Sequence, residues 1–124
     1  MSLAQRSALV MSGALIGLGL LFSAAPRAGV VLFGLPATRS DALDYARALG
    51  FRDLSVAAAL AGSAALGRRP LAVTAAASAI IPFMDMALVA RRRGREATPQ
   101  LGLHGTSALA LIAIAALSLA PSRG

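Results

Sequence analysis

The stretch LAVTAAASAIIPFMDMALVA, residues 71–90, holds a single charge, Asp85. Coiled into an α-helix at about 1.5 Å per residue, it spans about 30 Å, the thickness of a bilayer's hydrocarbon core. Arginines close it on both sides, in Gly67-Arg-Arg-Pro70 and in Arg91-Arg-Arg-Gly-Arg95. The rest of the chain repeats the pattern. Residues 8–26, 54–67 and 105–122 carry no charge at all. Over 124 residues, 57% are apolar, 14% are charged and the mean hydropathy is +0.74. A soluble domain usually has about a quarter charged residues. The sequence therefore predicts an all-α membrane protein: one domain, residues 1–124, built as an up-and-down bundle of four transmembrane helices over about 7–25, 41–66, 71–90 and 101–119.

The connections carry their own signals. Arg27 to Ser40 is the longest, and it contains Gly29-Val-Val-Leu-Phe-Gly-Leu-Pro36. That run is too short to span and too apolar for a free loop, so it is expected at the membrane interface or folded back over the bundle. Thr38 followed by Asp41 fits a capping box, placing the start of the second span there. Gly67 to Pro70 reads as a tight turn, and Arg91 to Pro99 as a polar basic loop. Arg6 followed by an apolar run imitates a signal peptide. The best cleavage site, with Ser23 and Ala25 at the small positions, would put Pro26 after the cut, so the first span is expected to stay uncleaved.

Within the spans, Gly13 and Gly17 have the small-xxx-small spacing that lets helices approach closely. Ala46, Gly50, Asp53, Ala57, Ala61 and Ala64 form one stripe of the second span, so Asp53 is expected among helices rather than in lipid. Pro82 is expected to bend the third span.

The net charge of +7 comes entirely from arginine. There is no soluble basic domain to hold nucleic acid, and the arginines fall where loops meet lipid headgroups. With no cysteine, disulfides, thiol chemistry and cysteine-based metal sites are excluded, and one histidine falls well short of a transition-metal ligand set, so no metal is expected. Phosphate-binding and dinucleotide fingerprints and a nucleophile elbow are absent, and no cofactor is implied. The partners implied are the bilayer, a lipophilic small molecule and a second copy of the chain.

Depth counting finds the polar site. In an up-and-down bundle Arg52, Asp53, Asp85 and His104 all lie about 22–24 Å from the far face, on three helices. That puts them about 6–8 Å below their own surface. Charges at such depth pair or face a cavity. One reading is a structural clamp, with Arg52 bridging Asp53 and Asp85. The other is a site: Asp85 or Asp53 as base, His104 as proton donor, and Arg52 orienting an anion, with Tyr45, Thr74, Ser78 and Ser107 as further ligand contacts. Asp53, next to Arg52 and on the small-residue stripe, is the expected structural partner. Asp85, after Pro82, is expected to face the cavity.

Gly50-Phe-Arg-Asp-Leu54, Pro82-Phe-Met-Asp85, His104-Gly105 and Phe33-Gly34-Leu-Pro36 together resemble the small membrane proteins grouped as domain of unknown function 4267. The resemblance covers nearly the whole chain. It implies a four-helix integral membrane protein and carries no established activity. Small multidrug exporters share the length and helix number, but they need a membrane-embedded Glu in the first span, where this chain has no acid before Asp41. Three functions stay open: a binding or structural membrane protein, an acid–base isomerase or cyclase for a lipophilic substrate, and a proton-coupled transporter subunit. A bacterial cytoplasmic membrane is the expected location.

Overall fold

The structure, a computed structural model, describes residues 1–121. The described residues are almost all helical: α1 Leu3–Ala24, α2 Pro26–Phe33, α3 Ser40–Leu66, α4 Arg68–Arg93, a 3-10 turn at Gly94–Ala97, and α5 Thr98–Leu119. Three stretches are long and apolar enough to cross a membrane: Leu3–Ala24, Ser40–Leu66 and Arg68–Leu119. The last contains α4 and α5, which double back on each other through the 3-10 turn. The protein is an all-α membrane protein, a bundle of four long helices with the short α2 laid across one end.

The long helices form two close pairs, α1 with α3 and α4 with α5, and the pairs meet more lightly along α3–α4 and α1–α5. The α1–α3 contact depends on two glycines. A Cβ on Gly50 would stand 2.6 Å from the Gly19 carbonyl oxygen and 2.6 Å from Ser23 Oγ, and one on Gly19 would stand 2.9 Å from the Gly50 carbonyl oxygen. No side chain fits between backbones that close. Gly13 and Gly17, expected to make such a contact, make none: both are exposed, with open space where a Cβ would go. They lie on the opposite face of α1 from Ser12 and Gly19, which are buried. The stripe on α3 is buried at Ala46, Gly50, Asp53, Ala57 and Ala64, with Leu60 completing it and Ala61 only partly covered.

Several helix ends differ from the sequence expectation. Helix α1 begins earlier because Ser2 and Gln5 form a capping box, an S-x-x-Q signal present in the sequence. Gln5 Nε2 also donates to the Ala64 carbonyl, tying α1 to the end of α3. No capping box forms at Thr38. Arg39 precedes α3 without a side-chain cap and pairs instead with Asp41. The turn before α4 is one residue, Gly67, whose φ of 122° and ψ of −176° suit only glycine. Helix α4 then runs on through Arg93, so the basic segment is helix and 3-10 turn rather than loop.

The apolar run after α1 folds back over the bundle as α2. Pro26 starts it and Gly34, in the left-handed conformation, stops it. Val30 and Phe33 are buried against Leu43, Ala46, Val89 and Ala97. A second apolar cluster at the other end joins Ala8, Leu60, Leu71, Ala75, Leu111 and Ile114. Large apolar side chains such as Val10, Phe51, Val73, Ile80, Phe83 and Leu109 point outward. Water would disfavour that surface and lipid accommodates it.

Candidate functional site

Between the two apolar clusters lies a polar layer centred on Arg52. Its guanidinium forks onto Asp85, with Nη1 to Oδ1 at 3.3 Å and Nη2 to Oδ2 at 3.0 Å. It also donates to Oδ1 of Asp53, from Nε at 3.2 Å and Nη2 at 3.1 Å. The Arg52–Asp85 pair joins α3 to α4. Farther along, Ser63 Oγ and Thr74 Oγ1 meet at 2.7 Å across the same two helices. Both pairs are centred on the same point of the sequence, between Arg68 and Arg69, just past the Gly67 turn. The hairpin register therefore carries one polar tie near each end.

Three acid or base groups here have different surroundings. Both oxygens of Asp85 are bonded to Arg52. Asp53 is only 6% exposed, and its Oδ2 has no hydrogen-bond partner among the described residues. Asp53 is bonded to Arg52 and Asp85 lines the cavity, as expected, but Asp85 is also the cross-helix partner and Asp53 keeps an open oxygen. His104, 8% exposed, is bonded to neither aspartate. Its Nε2 lies 2.8 Å from the Phe33 carbonyl oxygen, and its ring meets the Phe33 ring edge-on at 4.8 Å. A carbonyl only accepts, so Nε2 carries the proton and Nδ1 of the neutral ring is an acceptor. Among the described residues, His104 is one of three side chains that bond carbonyls at the end of α2. Arg93 Nη1 donates to Gly34 O at 3.3 Å and Gln100 Nε2 to Val31 O at 3.5 Å.

The aspartates, Arg52 and His104 all line one cavity of about 60 Å³ between the helix pairs. Ser78 and Ser107 line it too, together with an apolar wall that includes Met11, Leu15, Val56, Ile81 and Leu111. Ser107 Oγ donates to the Leu103 carbonyl one turn back, whereas Ser78 Oγ has no partner among the described residues. Pro82, one turn beyond Ser78, has no N–H to give to the Ser78 carbonyl. The lining residues that are exposed, Leu32 and Leu103, mark where the cavity reaches the surface, between α2 and α5. Tyr45 and Thr74 are elsewhere. Tyr45 is 77% exposed, off the buried stripe of α3, and Thr74 is engaged with Ser63. The apolar lining residues, among them Phe33, Val56, Ile81, Leu111 and the α1 wall, are ordinary side chains that carry no signal of a cavity in the sequence.

Four long helices with an apolar exterior, holding a part-buried Arg–Asp–Asp set beside a cavity, define a small helical-bundle membrane protein. The chain belongs to the family described as domain of unknown function (DUF4267), whose model matches residues 12–118. No curated protein and no solved structure shows a significant match to it.

Proposed function

We propose that this is a multi-pass protein of a bacterial-type cytoplasmic membrane that binds a lipophilic small molecule between its two helix pairs. The polar end of that molecule sits against the Arg52–Asp53–Asp85–His104 layer and its apolar part along Met11, Leu15, Val56 and Leu111. One observation carries this reading. The buried polar layer is not closed off by packing but borders an apolar cavity, with Asp53 Oδ2 left unpartnered on it. A layer serving only as a clamp needs no cavity and no open carboxylate oxygen. The Arg52 bridge still fastens α3 to α4, so the same residues hold the bundle together and shape the site. At about 60 Å³ the space takes a head group or a few waters. A chain follows it in by displacing the flexible Met11 and Leu15 side chains or through the gap beside Leu32 and Leu103.

The test is mass spectrometry of the apolar molecules that stay with the purified protein in a mild detergent. A Val56→Trp variant, which fills the cavity, should lose a species that wild type retains while keeping its helical content. Identical bound species in both proteins would refute the reading.

An acid–base enzyme is the second reading. His104 Nδ1 can take a proton from one carbon of the bound molecule and return it to another, and Asp53, on the same cavity, offsets the charge of the imidazolium that forms in between. Solvent deuterium entering the bound molecule would mark this activity, and His104→Gln should abolish it.

A further inference from the structure

The hydrogen-bonding inventory of the cavity selects among head groups. Arg52 has five N–H donors. Four are committed: Nε and one Nη2 hydrogen to Asp53, one Nη1 and the other Nη2 hydrogen to Asp85. The set of one guanidinium and two carboxylates has a formal charge of −1. The groups left open are acceptors, Asp53 Oδ2 and His104 Nδ1, together with the Ser78 hydroxyl, which can act either way. Asp53 and His104 are both more than nine-tenths buried, so their open atoms have little but the cavity to face. An incoming carboxylate or phosphate would meet a surplus negative charge in a medium of low dielectric, with one guanidinium N–H to greet it.

We infer that the bound molecule presents a hydrogen-bond donor to Asp53 and His104, as a hydroxyl or an ammonium, and that anionic lipids and fatty acids are rejected. Arg52 therefore orients the two aspartates and does not receive an anion. This rests on the binding reading above. An ammonium has N–H groups for both acceptors, whereas a hydroxyl has one O–H and gives it to the carboxylate, where the charge-assisted bond is the stronger of the two.

The experiment compares 1-dodecanol, dodecylamine and dodecanoate, which share one chain and differ in the head. Each is titrated into the wild-type protein in lipid nanodiscs, with the rise in unfolding temperature as readout. Dodecanol and dodecylamine should stabilise the protein and dodecanoate should bind at least about tenfold more weakly, the equivalent of one charge-assisted hydrogen bond. Val56→Trp should remove the effect, and Ser78→Leu serves as a second filled-cavity variant if that one folds poorly. Asp53→Asn replaces the open acceptor with an amide that also donates, so it should narrow the gap between dodecanol and dodecanoate. Dodecanoate binding as well as dodecanol, with the effect lost on filling the cavity, would overturn the donor inference and leave the binding reading standing. No stabilisation by any of the three, in wild type and variants alike, would overturn the binding reading itself.

Discussion

Arg52 is the residue on which the polar layer depends. Among the described residues it is the only arginine paired with both aspartates, and its planar fork matches Asp85 while its Nε edge serves Asp53. Removing one member of a buried ionic set typically costs about 3–5 kcal/mol, because the partners stay buried and uncompensated. Arg52→Ala should lose stability on that scale in detergent unfolding. Arg52→Lys should recover only part of it, since an ammonium cannot bond both carboxylates in the same way. Full recovery by lysine would show that charge alone matters there and geometry does not. The aspartates should separate too. Asp85→Asn gives up a two-bond ion pair across helices, whereas Asp53→Asn cancels the surplus charge of the set and keeps an acceptor for Arg52. Asp85→Asn should therefore lower the unfolding temperature more than Asp53→Asn, and the reverse order would contradict the assignment of Asp85 as the tie. The depth count from sequence brought these three residues to one level because helix rise is fixed. It could not reveal that His104 spends Nε2 on a backbone carbonyl of α2, since a carbonyl belongs to every residue and leaves no mark in the sequence.

At the scale of helices, the Gly19–Gly50 crossing shows why small-residue spacing was only partly legible. In segments this rich in Ala and Gly, the spacing recurs on several faces, and the partner helix decides which face is used. Gly13 and Gly17 match the pattern as well as any pair, yet they face outward. Gly50→Ala should push α1 from α3 and cost about 1–3 kcal/mol as an overpacked contact. Gly17→Ala should be neutral or mildly stabilising, because alanine is the better helix former by up to about 1 kcal/mol. Equal effects of the two substitutions on thermal unfolding would mean that the crossing point lies elsewhere. Helix α2 offers a second check. Its apolar face was readable as something that must be covered, but its docking relies on Arg93, Gln100 and His104 from the far side of the chain. The protein has no cysteine, so a single one at the buried Val30 can report on docking. His104→Ala should raise the labelling rate of Val30→Cys by a membrane-permeant maleimide, and an unchanged rate would show that the apolar contacts alone hold α2.

For the whole molecule, the four-helix plan followed from the lengths of the uncharged runs, whereas the grouping into two pairs did not, because apolar helices in lipid have no hydrophobic preference for one neighbour over another. The distribution of arginine sets the orientation. The end that holds α2, the start of α3 and the α4–α5 turn carries Arg27, Arg39, Arg47, Arg91, Arg92, Arg93 and Arg95. The opposite end carries Arg6, Arg68 and Arg69, with Arg123 outside the described residues. Arg68 there is engaged at the end of α5, donating to the Ser118 carbonyl at 3.0 Å and to that of Ala120. Arginines near span ends are retained in the cytoplasm, and acidic neighbours such as Asp41 and Asp44 weigh little against them. The arginine-rich end should therefore face the cytoplasm, which leaves both termini outside and the gap beside Leu32 and Leu103 near the inner leaflet. A C-terminal alkaline phosphatase fusion should be active and a C-terminal green fluorescent protein fusion dark. The bias resides largely in the α4–α5 turn, so replacing Arg91, Arg92 and Arg95 with glutamine should produce a mixed population in which both reporters register. A bright fluorescent fusion on the unaltered protein would invert the bundle and move the cavity mouth to the outer leaflet.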